Sequence, residues 1–192
     1  MKNKEQANSR REFMIKAATA AMAGPLLFTN EAAAKIPAGT KLRHASIGVG
    51  GMGWGDLQQF KKHPSVEIVA ICDVDEKNLK RAADLCPGAR TYTDYRELLK
   101  AEQDHIDSVN VTVPDHNHFA IAVQAIRNKK HVYCQKPMCH DVAEVRALTQ
   151  EAVKAGVTTQ LGTQVASTLG DRTGVHLIKQ GIIGKVKHAY LC

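Results

Sequence analysis

The sequence contains no Cys-x-x-Cys pair, no internal repeat and no uninterrupted apolar run of membrane-spanning length, and aromatic residues make up only 5% of it. Each shortage removes a class of protein. Five cysteines (Cys72, Cys86, Cys134, Cys139, Cys192) form an odd set without paired spacing, which argues against a disulfide frame; Cys72 and Cys134 fall in apolar runs and read as small core residues. Cys134 and Cys139 with His131 and His140 match no standard zinc spacing, so no metal is expected. Lys plus Arg number 26 against 19 Asp plus Glu, a formal charge of +7. Yet Lys61, Lys62, Lys129 and Lys130 are scattered instead of forming one stripe interleaved with aromatics, so a nucleic-acid partner is not expected. The apolar stretch from Met14 to Phe28 is broken by Gly24-Pro25 and falls short of the roughly 20 residues that a membrane helix needs.

What is present begins with a targeting pattern. Ser9-Arg10-Arg11 precede Phe13, the mildly apolar stretch follows, and Ala32-Ala33-Ala34 supply a small-residue cleavage site. That order is the order of a twin-arginine export signal. Residues 1–34 are therefore set aside as the signal, with the twin-arginine translocase as a partner during export and a periplasmic or exported location. An uncleaved signal acting as a membrane anchor is the alternative. "KIPAGTK", residues 35–41, reads as a linker.

A hydrophobic composition of 44% over the whole sequence is enough for a core, and from Leu42 onward short β-branched runs alternate with helical patterns. The strand candidates are "ASIGVG", "VEIVAICD", "IDSVNVTVP", "KHVYCQ" and "VTTQLGT", with helices expected over Leu57–Lys62, Asn78–Cys86, Tyr95–Glu102, His118–Asn128 and Val142–Ala155. This alternation predicts an α/β fold with a doubly wound parallel sheet. Asp94 and Asp141 sit where helix N-caps belong, the latter with Glu144 three residues on, and Gly156 is placed to stop a helix.

The stretch "IGVGGMGWGD" carries Gly48-x-Gly50-x-x-Gly53 directly behind a strand candidate, and Asp73 ends the next one. Each residue type has a physical reason in a Rossmann dinucleotide site: Gly48 for a tight turn, Gly50 for close approach of backbone to a pyrophosphate, Gly53 for helix-to-strand packing, and Asp73 for the ribose hydroxyls. Gly51 and Met52 lie within the same loop. A carboxylate at 73 would repel a 2′-phosphate, and Val74-Asp75 adds no arginine beside it, so NAD is expected and NADP disfavoured.

The segment "VNVTVPDHNHFAIAVQAIRNKKHVYCQKP" resembles the signature of the glucose-fructose oxidoreductase and inositol dehydrogenase (Gfo/Idh/MocA) family. The counterparts of the family pattern are Thr112 and Pro114, His118, Lys130-His131-Val132, and Gln135-Lys136-Pro137. The likeness runs from about Leu42 to the C-terminus and includes "GTQ" at Gly162–Gln164 and "IKQGIIGKV" at Ile178–Val186. It implies that Thr112, Pro114 and His118 line the cofactor, that Gln135 and Pro137 flank it, and that Lys136 is the candidate catalytic residue. Lys136 would lie desolvated near the nicotinamide and help move a proton from a substrate hydroxyl. Pro137 would aim it, often through a cis bond in this family. Gln135 stands where the family has Glu; a neutral amide removes a charge that would hold the lysine's proton, so Lys136 is expected to lose it more easily. Of His116 and His118, only His118 matches the family position.

The resemblance also implies a division of the chain. Residues 42–165 would form the NAD-binding Rossmann domain, and 166–192 a linking helix with the first strand of a second α/β domain, cut off at the C-terminus, that binds substrate. The expected function is NAD-dependent oxidation of a sugar, cyclitol or related polyol. The alternatives are an NAD-dependent glycoside hydrolase using transient oxidation and elimination, and an inactive truncated remnant. A homo-oligomer is an expectation for the full-length family architecture only.

Overall fold

The computed structural model describes residues 39–190, all within the unit that begins at Lys35. The export signal expected over 1–34, most of the linker, and Cys192 lie outside the described residues.

Among the described residues, six strands and six α-helices alternate: β1 Leu42–Ile47, α1 Gly51–Lys62, β2 Val66–Cys72, α2 Glu76–Leu85, β3 Arg90–Tyr92, α3 Tyr95–Ala101, β4 Ser108–Val111, α4 His118–Arg127, β5 His131–Gln135, α5 Val142–Ala155, β6 Thr159–Gly162 and α6 Leu169–Lys179. The strands form one sheet in the order β3-β2-β1-β4-β5-β6, and every pairing is parallel. The chain winds outward from β1 to β3, returns to β4 beside β1, and winds outward again to β6. Where the winding reverses, the loops leaving β1 and β4 diverge and open a crevice at the carboxyl ends of the strands.

Helices cover both faces. Ala45, Ile47, Val109, Val111, Val132 and Cys134 pack with residues of α3, α4 and α5 on one side. On the other, Val49, Leu57, Ile71, Ala82 and Cys86 join α1 and α2 to the sheet. Because both faces are covered, all four residues of β4 are buried, the polar Ser108 and Asn110 as well as the apolar Val109 and Val111. Cys72, Cys86, Cys134 and Cys139 are free and buried; burial pushes the Cys72 and Cys134 thiols up to about 12.

Caps fall where the sequence places them. Asp94 accepts from Arg96 N, Asp141 accepts from Glu144 N at 2.8 Å, and Gly156 ends α5 at φ +67°. The strand β3 has no counterpart among the sequence candidates. It is three residues long, pairs with the end of β2, and is tied by polar contacts to the end of α3: the half-exposed Arg90 binds the buried Glu102 carboxylate through two nitrogens and Tyr92 donates to it at 2.6 Å. The Arg90 guanidinium holds the Glu102 carboxyl below the usual carboxylate range. The helix expected over Leu57–Lys62 begins at Gly51, inside the glycine motif.

Beyond β6, α6 occupies the place of the expected linking helix. Residues 186–190, expected as the opening strand of another sheet, carry no regular structure. A strand exists through its partner, and none pairs with this segment among the described residues. Among those residues, no helix is long and apolar enough to cross a membrane.

Candidate functional site

The loop between β1 and α1 owes its shape to glycine. Gly48 has φ +81°, and a Cβ there would stand 2.1 Å from the Thr112 carbonyl oxygen at the end of β4. A Cβ at Gly53 would stand 2.0 Å from the Gly48 carbonyl oxygen. The loop and the first turn of α1 are therefore pressed together, and onto β4, with no room for a side chain between them. Gly50 leaves its Cβ space to the Asn78 amide on α2, with Nδ2 2.4 Å from the ideal Cβ position. The loop is then held by Asp73: its Oδ2 accepts from Val49 N at 2.8 Å and Gly50 N at 3.1 Å, while Oδ1 accepts from Asp75 N at 2.9 Å. Asp73 thus serves the loop directly, in addition to the ribose role expected of it.

A cleft of about 640 Å³ opens over this loop, and its wall includes Gly48, Gly50, Gly51, Asp73, Thr112 and Pro114 from the sequence-derived set. Asn78, Tyr95, Arg96 and Asn117 join them without having been expected. Arg96 supplies the arginine that the neighbours of Asp73 lack, but its guanidinium lies 4.5 Å over the Tyr95 ring and 3.4 Å from Asp94 Oδ1. The first turn of α1 has neither a side-chain cap nor an acidic residue. Its free N–H groups and positive dipole end suit an anion such as a pyrophosphate. The cradle, the uncapped helix and the carboxylate at the cleft wall together fit a dinucleotide.

Beneath the cleft, between α1 and the sheet, a row of polar side chains fills space that an apolar core would otherwise take. His44 on β1 is 2% exposed; its Nδ1 lies 2.7 Å from Ser108 Oγ and its Nε2 3.1 Å from Asn110 Oδ1. Burial pulls the His44 pKa down to about 4, so the ring is neutral at pH 7. Asn110 Oδ1 only accepts, which places the ring proton on Nε2 and makes Nδ1 the acceptor for Ser108. Asn110 Nδ2 donates to Thr112 Oγ1 at 3.0 Å, and Thr112 donates to Asp56 Oδ2 at 2.9 Å. Gln135 Nε2 donates to the same oxygen at 2.9 Å, and Gln164 Nε2 approaches Asp56 Oδ1 at 3.4 Å. Asp56, 8% exposed on α1, is the acceptor at which the row converges.

A family model described as an oxidoreductase family with an NAD-binding Rossmann fold, GFO_IDH_MocA, matches residues 42–163. The chain belongs to that family. A glycosyl hydrolase family 109 protein of Shewanella woodyi is 28% identical over 156 residues, covering 77% of this chain and 33% of that protein. The crystal structure of myo-inositol 2-dehydrogenase from Lactobacillus plantarum aligns with a TM-score of 0.70 at 27% identity, over 77% of this chain and 43% of that one. An oxidoreductase from Agrobacterium radiobacter, solved with NAD+, L-tartaric acid and magnesium, aligns at 0.69 and 25% identity over 76% and 42%. The chain thus spans under half the length of these relatives.

The Gfo/Idh/MocA signature positions take distinct places. Thr112 and Pro114 line the cleft. Met52 is 57% exposed beside the loop, and Gly53 is buried beneath it. His118, 2% exposed, stands behind the wall and not on it: Nδ1 lies 2.5 Å from the Pro137 carbonyl oxygen and Nε2 2.8 Å from that of Val113. It ties the turn after β4 to the turn after β5. Lys136, expected to be desolvated, is exposed at the carboxyl end of β5. The Lys136-Pro137 bond is cis.

Gln135 is fixed on three sides. Its Nε2 reaches Asp56, its Oε1 accepts from Lys136 N at 3.1 Å, and Gly162 on β6 lies beneath it; a Cβ at 162 would stand 3.0 Å from the Gln135 amide. The charge missing at position 135 is therefore found one contact away, on Asp56. Sequence reasoning passed over Asp56 because the residues it joins lie 56, 79 and 108 positions along the chain.

Proposed function

We propose that this chain binds NAD in the cleft at the carboxyl ends of β1, β2 and β4, and is the cofactor-binding part of an oxidoreductase acting on a sugar, cyclitol or related polyol. The observation that carries the reading is the loop itself, where Gly48 at positive φ and Gly53 leave no room for side chains and the first turn of α1 presents uncapped N–H groups. Bound there, the nicotinamide would supply a hydride acceptor. Asp73 would take the adenosine ribose on the acceptor capacity left by its backbone contacts, and Thr112 and Pro114 would line the nicotinamide half. Lys136 would hold or pass on the proton of the substrate hydroxyl. The myo-inositol 2-dehydrogenase likeness supports a polyol substrate.

The single tryptophan, Trp54, lies on α1 beside the loop and stacks against Arg81 at 4.0 Å. NADH is expected to quench its fluorescence saturably, NAD to compete, and NADPH to bind at least tenfold more weakly. Gly50→Ala, whose Cβ displaces only the flexible Asn78 amide, is expected to weaken NADH about tenfold, near 1.4 kcal/mol, with the thermal midpoint little changed. No saturable quenching by NADH up to millimolar concentration would reject the reading.

The family 109 relative supports a second reaction, glycoside cleavage by transient oxidation, elimination and re-reduction. Net NADH formation with polyol argues for the first, and aglycone release without net NADH for the second. Export of the folded protein through the twin-arginine route is proposed from Arg10-Arg11 and Ala32-Ala34. A mature protein beginning after Ala34, lost when both arginines become lysine, is the expected outcome.

A further inference from the structure

We infer that Asp56 is a positioning residue for Lys136, acting through the Gln135 amide, and that position 135 must carry an amide because Asp56 carries the charge. The inference deepens the proposed cofactor reading, and its primary readout does not depend on that reading.

The geometry leaves little choice of direction. An amide nitrogen can only donate, so the 2.9 Å contact from Gln135 Nε2 to Asp56 Oδ2 needs an acceptor at position 56. The same oxygen already accepts from Thr112, whose hydroxyl lone pair is engaged by Asn110 Nδ2 and whose proton is thereby directed at Asp56. With Nε2 committed, Gln135 presents Oε1 to the Lys136 backbone N–H at 3.1 Å. Gly162 beneath the amide and buried surroundings, with Gln135 3% exposed, restrict any other rotamer. The result is an ordered relay: carboxylate, amide, then the backbone from which the Lys136 side chain departs.

Charge gives the relay a second effect. Asp56 is 8% exposed, so its field is less screened by water than that of a surface carboxylate, and a change of charge there is expected to be felt at the end of β5. A Glu at 135 would set two carboxylates at hydrogen-bonding distance in a buried position, with no proton between them unless one is taken up. Exchanging the pair, with the amide on α1 and the carboxylate on β5, would restore one donor facing one acceptor between 56 and 135, with the Thr112 hydroxyl then accepting the second amide proton of residue 56. The pair is thus reversible in principle, and a second carboxylate at 135 is the change that it does not accommodate.

The test uses the full chain and three variants, Asp56→Asn, Gln135→Glu and the double exchange Asp56→Asn/Gln135→Glu. The rate of Lys136 acetylation by acetic anhydride at pH 8, read by peptide mass spectrometry against other exposed lysines, reports the charge and placement of its amine. Asp56→Asn is expected to raise that rate about threefold and Gln135→Glu to lower it about threefold, half a pH unit in each direction, with the double exchange within twofold of the parent. NADH binding read through Trp54 is expected to weaken at least tenfold in Gln135→Glu and to recover to within threefold in the double exchange. Single variants that shift Lys136 acetylation the same way, or not at all, overturn the inference, as does a double exchange that loses NADH affinity by the product of the single losses. A parent chain that binds no NADH rejects the cofactor reading alone, and the acetylation rates then decide the pair unaided.

Discussion

The loop after β1 and the turn after β5 face one another across the carboxyl ends of the strands, and they are held by different means. Around Gly48–Gly53 the contacts are made by backbone: carbonyl oxygens against bare Cα atoms, and two amide N–H groups on one Asp73 oxygen. Around Gln135–Pro137 they are made by side chains, with Asp56, Gln135 and His118 each bridging two separate segments. A region built from close backbone approach fails when atoms are added to it. A region built from a polar network fails when a proton or a donor changes sides, even if volume is unchanged.

The largest expected effect breaks the first region. Gly48→Ala places a methyl 2.1 Å from the Thr112 carbonyl at a φ of +81°, and is expected to cost about 3 kcal/mol or more in urea unfolding. Its loss should come with an unchanged dependence on pH. A variant that unfolds at the parent's urea midpoint would show that the loop yields where the geometry says it cannot.

The next effect belongs to the second region and is a matter of pH. His44 has its pKa lowered from 6.5 to about 4 by burial, with the Asn110 contact opposing the shift. The neutral form is the folded form, so this contribution is complete above pH 6.5, declines as pH falls toward 4, and amounts to about 3 kcal/mol in all. Carboxylates such as Glu102, whose folded pKa is lowered by Arg90, lose their contribution only below about pH 4.5, which leaves the interval from 6.5 to 5 to His44. His44→Gln, which keeps a donor toward Asn110, is expected to flatten the unfolding free energy over that interval by the slope of one proton. A slope equal to the parent's would show that the row does not depend on a neutral imidazole.

The smallest effect sharpens the contrast. Ser46, also on β1, is fully buried and its Oγ finds no partner, unlike the hydroxyls of Ser108 and Thr112. Ser46→Ala is expected to leave stability unchanged or raise it by about 1 kcal/mol, because the hydroxyl's desolvation is uncompensated. A loss above that amount, measured by thermal unfolding, would place Ser46 inside a network of its own.

The same contrast accounts for how far the sequence could be read. Close backbone approach leaves glycines at fixed short spacing, and a parallel sheet leaves alternating strand and helix patterns, so the loop, Asp73 and five of the six strands were legible as residues. The strand β3 was not, because three residues tied through Arg90 and Tyr92 to the buried Glu102 carboxylate carry no apolar pattern. Nor was the role of His118, whose two ring nitrogens face carbonyl oxygens that no residue type advertises. Asp56 was quoted at the end of the glycine stretch and read as nothing more, since its partners on β4, on β5 and beyond β6 meet it only after the sheet has formed. The lysine that family likeness picked out sits at the expected strand end but is exposed, a property that its neighbours in sequence do not carry.

Every proton in the buried row points the same way, from Ser108 through His44, Asn110 and Thr112 to Asp56. Such a row has a polarity, and no member can turn its donor around without forcing its neighbours to turn as well. Ser108 opens β4, at the far rim of the sheet, and roughly 10 Å of strand separates it from Val111 next to the cleft. With the hydroxyl removed at that rim, His44 Nδ1 loses its donor, and a ring proton moving to that nitrogen would turn Asn110 and then Thr112 in succession, by reorientation alone while the backbone stays where it is.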